Sequence, residues 1–411
     1  MSQAPHALIA GAGIGGLTAA LCLARSGFRV SLFERAKLLE EVGAGLQISP
    51  NASAVLRDLG VLPRLAGAAL APQALHIRRA RDGASLQRLP LKDAEKRWGA
   101  PYLLIHRADL QKALLETVAQ EKSITLAMQT EIAAFAATEK GIEAVALNGP
   151  IRTIYRGDYL IGADGLRSFV RQRLGELCLP AKGARSAALA MPAKANHVAW
   201  RSLIDAEHVA PELRKAESTL WLGHKAHLVH YPLRGGAVIN VVAVVEDRVA
   251  IDWTADIWSQ AGDTGEIQAR FAPWHEEART LIAAAREWRK WPLVDLDPLP
   301  EWTAGRVALL GDAAHAMLPF LAQGAAQAIE DAAMLGALLS PNGNVAAGLV
   351  AYAAARRPRA SRVQAFSRRQ GHIYHLGEPA AFFRDLALRI MGERQLLGHY
   401  DWLYGTRPNV K

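Results

Sequence analysis

Ala7–Arg35, ALIAGAGIGGLTAALCLARSGFRVSLFER, decides the fold. The apolar run Ala7–Ala10 leads into Gly11, Gly13 and Gly16. A helical stretch follows, with Leu17, Leu21 and Ala24 on one face, and Gly27 stops it. A second apolar run, Val30–Phe33, ends at Glu34. This is strand, glycine-rich turn, helix, strand and acid, in the order of a dinucleotide-binding βαβ unit. Gly11 permits the tight turn, Gly13 lets a pyrophosphate approach the backbone, and Gly16 lets the helix pack against the sheet. The helix N-terminus offers free N–H groups and a positive dipole end to phosphates. Glu34 is placed to accept hydrogen bonds from an adenosine ribose. The spacing suits FAD and NAD equally.

The remainder of the chain is of ordinary globular composition. At 411 residues, 51% hydrophobic and 21% charged, it suggests two domains or one large domain with insertions. The first strand starts near Ala7, so no secretory signal peptide is expected, and no apolar run is long enough to span a bilayer. Only Cys22 and Cys178 occur, too few for a disulfide framework, so a reduced, cytoplasmic setting is expected, with Cys22 a packing residue of the first helix. The formal charge of +9 fits nucleic acid, a membrane surface or small anions as partners. The basic residues are scattered except along Arg356–Arg369, which reads as the solvated face of a helix. A small anionic molecule is the expected partner, with neither nucleic acid nor membrane.

Beyond Glu34, Gly43 and Gly45 suggest a loop passing close to a ligand, and Ser49 or Asn51 is placed to cap a helix running to about Leu59. Ala74–Leu91 reads as two short strands around the turn Arg81-Asp82-Gly83. IHRADLQKALLETVAQ, from Ile105, reads as an Asp-capped amphipathic helix with Arg107 at its mouth, either facing a phosphate or simply lying on the surface. Tyr159–Ile161 is an apolar strand that meets Gly162, Asp164 and Gly165, like a second phosphate-facing turn. From Ser186 to Lys290 alternating strands, AWRSLI, HLVHYPL and AVINVVAVV, predict an antiparallel sheet with one covered face. VALLGD then returns to a buried strand ending in Gly311 and Asp312, where an α/β sheet binds ligands, although an Asp there also suits a plain turn. The C-terminal segment is helical and aromatic-rich, with YDWLYG near its end.

Four separated stretches, GAGIGG with Glu34, GADG at Gly162–Gly165, GDAAH at Gly311–His315 and LAQGAAQAIEDA at Leu321–Ala332, together resemble the group A FAD-dependent aromatic hydroxylases. The most similar branch is the one holding salicylate hydroxylase, 3-hydroxybenzoate 6-hydroxylase and 6-hydroxynicotinate 3-monooxygenase. The resemblance runs along nearly the whole chain, in the family's order. It implies an α/β fold: a Rossmann-like FAD-binding domain in pieces 1–73, 101–185 and 293–360, an inserted antiparallel β-sheet substrate domain in pieces 74–100 and 186–292, and a C-terminal helical segment 361–411. Gly11, Gly13, Gly16 and Glu34 would hold the ADP half of FAD, with Ile14, Gly15 and Arg35 beside them. Arg107 would contact the phosphate–ribityl region, Asp312 with Gly311 the ribityl chain, and Asp164 a motif serving both FAD and the nicotinamide cofactor. Gln323, Gly324 and Ala325 would lie beside the isoalloxazine, with the helix after Gly324 pointing its N-terminus at the flavin C2 carbonyl, and Gly45 and Leu46 would also bind the cofactor. His315 would support its loop.

The chemistry implied is the cofactor's. NADH or NADPH reduces FAD, O2 adds to give a flavin C4a-hydroperoxide, and an electrophilic oxygen passes to an electron-rich ring. A base near a ring hydroxyl activates that ring, and histidine is the usual candidate. Strand alternation puts His227, Val229 and Tyr231 on one face and Leu228 and His230 on the other. The resemblance turns His227 and Tyr231 towards substrate and puts Pro319 and Phe320 on the loop over the reactive face, so His227 and Pro319 are the expected catalytic positions. No metal is expected. The implied activity is hydroxylation of a small phenolic or hydroxypyridine carboxylate by a monomer or homodimer. Oxidation of a non-aromatic or larger ring, a flavin reductase or dehydrogenase that leaves oxygen alone, and a FAD-binding protein without turnover are the alternatives.

Overall fold

A computed structural model describes residues 4–39, 45–178, 191–192, 194–255, 257 and 260–407. Gly43, Ser186 and the side chain of Cys178 fall outside the described residues. The apolar first strand, His6–Ala10, lies inside a six-stranded sheet in the order Thr303–Ala304, Val307–Leu309, Tyr159–Gly162, His6–Ala10, Arg29–Phe33, Ile124–Ala127. Every pairing is parallel except the short hairpin at Thr303–Ala304. Ala7, Leu8 and Ile9 have no exposed surface, as expected of a parallel strand covered on both faces. The helix Ile14–Arg25 packs on the helix Gly324–Leu338, so closely that a Cβ on Gly336 would lie 2.9 Å from the Cys22 Cβ. Cys22 is therefore a packing residue, and burial pushes its thiol up to about 12.

The second large unit is an eight-stranded sheet in which Ala74–Arg79 and Ser85–Pro90 extend the strands contributed by the later piece of chain. It is antiparallel with one exception. Glu217–Gly223 pairs in parallel with Ala74–Arg79. The expectation of one covered face is corrected. The helices Thr264–Phe271 and Glu276–Ala284 cover one side, over Trp200, Trp221, Leu228 and Trp288. The other side is also covered, by Phe320 against Ala199, Val244 and Leu293, and by the cluster around Tyr102, Tyr231 and Val363.

The long helix Val345–Tyr374 passes without a break through residue 360, the expected edge of the C-terminal segment. Its basic stretch is a solvated face only in part: Arg362 and Arg369 are exposed, whereas Arg356, Arg359 and Arg368 are paired with acids. Arg356 is 1% exposed and pairs with both Glu330 and Asp331, its Nε donating to Asp331 Oδ1 at 2.6 Å. Arg359 Nε donates to Glu330 at 2.6 Å, and Arg368 pairs with Asp295 and Asp297. Arg356 and Arg359 are turned inward because the facing helix presents two adjacent buried acids. Two capping expectations are also corrected. Ser49 stands at the N-cap position of the helix Pro50–Asp58, but its side chain makes no capping bond; Ser49 Oγ donates to Asn51 Oδ1, and Asn51 Nδ2 donates to Glu330 Oε1, each at 2.5 Å. The helix Arg107–Gln120 is capped by His106 Nδ1, which accepts from Ala108 N, while Asp109 pairs with Arg234.

Removing Arg356 takes the shared cation from two buried carboxylates and leaves Glu330 with Arg359 and Asp331 with His315, and breaking a buried pairing of this kind costs up to about 3–5 kcal/mol. Arg356→Met should lower the urea midpoint by a corresponding amount; an unchanged midpoint would contradict the buried pairing. Burial works to raise Glu330 and Asp331, but Arg356 and Arg359 around the first and His315 and Arg356 around the second hold both below their ordinary values. A depressed carboxyl stabilises above its unfolded pKa, about 4. The wild type should therefore lose this contribution as pH falls below that value, and Arg356→Met should show a weaker acid dependence.

Candidate active site

The glycine-rich turn is built by close backbone approach. Gly11, at φ +98°, lies so near the neighbouring strand that a Cβ would stand 2.3 Å from the Ala163 carbonyl oxygen. A Cβ on Gly16 would stand 1.9 Å from the Gly11 carbonyl, so the helix can begin directly on the turn only if Gly16 has no side chain. Gly13, Gly165 and Gly324 face open space, with no heavy atom within 4 Å of a Cβ placed there. The Glu34 carboxylate accepts from Ala12 N and Ala36 N, each at 2.9 Å, and ties the turn to the end of the second strand.

A cavity of about 750 Å³ opens along this edge. Of the expected residues, Gly11, Gly13, Glu34, Arg35, Arg107, Asp164, Asp312 and Pro319 stand on its wall. Arg107 follows Leu103–His106, which pairs with Gly45–Ile48. Burial pushes its guanidinium down, and Asp312 opposes that shift. Asp164 accepts from Ser168 Oγ at 2.5 Å and Val170 N at 3.0 Å, yet burial holds its carboxyl above the ordinary value. An open glycine cradle, a helix start and opposed Arg and Asp side chains fit a dinucleotide-sized anion.

The other expected cofactor residues lie behind that wall. Ile14, Gly15 and Gly16 start the first helix. Gly45 and Leu46 lie on the strand paired to Leu103–His106; Gly45 N donates to Asn240 Oδ1 at 3.0 Å, and a Cβ there would meet the Tyr231 ring at 2.6 Å. Gly311 N and His315 Nε2 both reach Asp331 Oδ2, at 2.9 and 2.6 Å, so His315 does support its loop. The Gln323 side chain turns inward, donating to Ser49 Oγ at 2.8 Å and accepting from Asn51 and Gln327. Gly324 and Ala325 open the helix Gly324–Leu338.

The expected substrate residues divide. Pro319 faces the cavity, whereas Phe320, Tyr231 and His227 are buried and stand off its wall. Phe320 turns under the loop because helix residue Gly371 makes room, since a Cβ there would meet its ring at 2.4 Å. His227 is 4% exposed, 5.4 Å from the Phe320 ring centre, and its Nδ1 lies 2.8 Å from His375 Nε2. Burial first, then His375 and His197, hold its imidazole well below 6.5. His375 Nδ1 lies 3.3 Å from Glu246 Oε1. His230 is on the opposite face, as alternation predicts, where it accepts from Trp221 and where burial and Arg78 push it down to about 3.

Sequence reasoning missed Arg201, which lines the cavity beside Trp291 and Met317 with its guanidinium 4.5 Å from the Trp291 ring centre. Burial, then Arg107, push it down to about 10, with Tyr231 opposing. The available signal was a cation at an inward position of AWRSLI. His375 and Glu246 carried no motif.

Residues 5–367 match the family model described as FAD binding domain. The chain is 34% identical over 400 residues to 3-hydroxybenzoate 6-hydroxylase of Polaromonas naphthalenivorans (strain CJ2), covering 97% of this chain and 95% of that one. It is 36% identical over 407 residues to 3-amino-4-hydroxybenzoate 2-monooxygenase of Streptomyces cremeus, covering 98% and 95%. The solved structure of a salicylate hydroxylase substrate complex superposes with a TM-score of 0.81 at 26% identity, over 99% of this chain and 96% of that one. The chain belongs to the FAD binding domain family. It is an oxidoreductase, a flavoprotein monooxygenase of the aromatic-hydroxylase kind. No helix among the described residues is long and apolar enough to cross a membrane.

The buried, strongly protonated Cys22 has no means of attacking a flavin. Acid precipitation of the purified protein should therefore leave intact FAD in the supernatant. Flavin retained in the pellet, or FMN alone released, would contradict a non-covalent FAD.

Proposed function

We propose that the protein hydroxylates a small phenolic or hydroxypyridine carboxylate, consuming NADH or NADPH and O2. The observation that carries this reading is Arg201. It sets a cation at a cavity wall otherwise formed there by Trp291, Leu293, Met317 and Pro319. An apolar wall with a guanidinium beside it suits an aromatic acid. FAD, when bound, supplies the redox chemistry and the activation of oxygen. In this reading Gly11, Gly13, Gly16 and Glu34 hold its ADP half, Arg107, Asp164 and Asp312 its middle, and the Gln323-Gly324-Ala325 turn its ring end. Pro319 shapes the substrate side, with Phe320, Tyr231 and His227 packed behind it.

The His227 imidazole, kept neutral by burial, is the proposed acceptor of the phenol proton. Glu34→Ala should weaken FAD retention without unfolding the protein, measured by flavin titration; unchanged affinity would count against the ribose assignment. His227→Ala should slow oxygen transfer by up to roughly 10²–10⁴-fold and leave flavin reduction near the wild-type rate, as stopped-flow spectroscopy would report. The loss should shrink at high pH, where the phenol ionises unaided, and His230→Ala should matter less. The substrate itself is found by screening aromatic acids for stimulated NAD(P)H oxidation and identifying the product by mass. Stimulation without any hydroxylated product from the whole panel would sink the proposal.

A further inference from the structure

From His227 a line of side chains leads away from the substrate side, and its other two members, His375 and Glu246, are not used by the reaction as described. His227 Nδ1 is 2.8 Å from His375 Nε2, and His375 Nδ1 is 3.3 Å from Glu246 Oε1. The three come from different elements. His227 is on the strand Ala226–Leu233, Glu246 is on the adjacent strand Val238–Ala250, and His375 is the C-cap of the helix Val345–Tyr374. The line runs from inside to outside. The His227 and His375 side chains are buried, whereas the Glu246 side chain is 38% exposed.

A buried imidazole that disfavours charge makes a poor resting place for a proton. His227 is held well below 6.5, and His375 is pushed down to about 3 by burial, with His197, His372, Arg384 and His224 facing it. His197 in turn faces Glu246, His372 and Asp295. A proton delivered to His227 must therefore move on, and a carboxylate that meets water stands at the end of the line.

We propose that His375 and Glu246 form a proton relay that carries the substrate's phenolic proton from His227 to solvent. The proposal rests on the reading of His227 as the proton acceptor. In the relay the phenol O–H bond breaks and its proton bonds to His227 Nε2. The Nδ1 proton of His227 passes to His375 Nε2, and the Nδ1 proton of His375 passes to Glu246. Glu246 then releases its proton to water. Each imidazole gains one proton and gives up another, so neither holds a charge, and the substrate is left as the phenolate. His375 and Glu246 act through His227 and are positioning residues of the relay.

The test is stopped-flow kinetics on FAD-loaded His375→Gln, His375→Ala, Glu246→Gln and His227→Ala, with the aromatic acid that most stimulates NAD(P)H oxidation. Flavin content and the flavin reduction rate check the fold. Gln at 375 keeps a hydrogen bond and cannot relay a proton. His375→Gln should slow oxygen transfer roughly 10- to 100-fold, at or below the effect of a positioned base. The deficit should vanish at a pH where the free phenol is ionised, and added imidazole should restore His375→Ala in part. The solvent isotope effect on oxygen transfer should follow a curved dependence on deuterium fraction in the wild type and a linear one in His375→Gln. If His227→Ala is slow while His375→Gln and Glu246→Gln run at the wild-type rate, the relay is overturned and the base reading stands. If His227→Ala also runs at the wild-type rate, the base reading fails and the relay fails with it. If only Glu246→Gln is unaffected, the three-membered path is overturned.

Discussion

The Asp331 carboxylate holds together the elements on which the site depends. One oxygen accepts from Gly311 N and meets His315 Nε2, and the other accepts from Arg356 Nε. These contacts fix the turn that carries Asp312 at the carboxyl edge of the parallel sheet. Next to Asp331 in the same helix, Glu330 accepts from Asn51, Arg356, Arg359 and Gln327. Asn51 and Gln327 in turn donate to Gln323. One buried set of charges thus positions the turns at Gly311 and Gln323 together with the start of the helix Pro50–Asp58. Such a set carries a large desolvation cost, and its value lies less in net stability than in allowing only one arrangement of the parts it joins.

The substrate side is organised by a different constraint, the alternation of a sheet covered on both faces. Strand register puts Arg201, Trp291, Tyr231 and His227 on one face and His230 on the opposite one. Phe320 fills the space beside His227, and the chain turns back so that Pro319 meets the cavity. Burial then determines the chemistry of the histidines, because an imidazole far below its ordinary pKa is a neutral acceptor at pH 7. A basic Arg201 and a neutral His227 on the same face suit the aromatic acid with a ring hydroxyl proposed as substrate.

Much of this was legible in the sequence for physical reasons. Gly11, Gly13 and Gly16 answer to local backbone geometry, and the run Ala7–Ala10 to burial on both faces, so both announce themselves at short range. The two-residue period of HLVHYP likewise fixed which histidine faces which way. The hidden features depend on partners distant in sequence. Arg356 lies in a basic run that looks solvated until Glu330 and Asp331, within an otherwise apolar helix, are brought against it. Ser49 and Asn51 look like helix caps because nothing nearby reveals Gln323 and Glu330. The parallel pairing of Glu217–Gly223 with Ala74–Arg79 depends on the path of the intervening chain. Phe320 reads as a cavity residue until Gly371 opens space for it elsewhere.

The central claim is that this cavity directs one atom of dioxygen onto the ring of an aromatic acid. Turnover under ¹⁸O2 with the best-stimulating acid measures it directly. The product hydroxyl should carry ¹⁸O, form in equal amount to the NAD(P)H oxidised and be absent without substrate. Unlabelled hydroxyl drawn from water, or NAD(P)H oxidation that passes entirely to hydrogen peroxide with every acid tested, would contradict it.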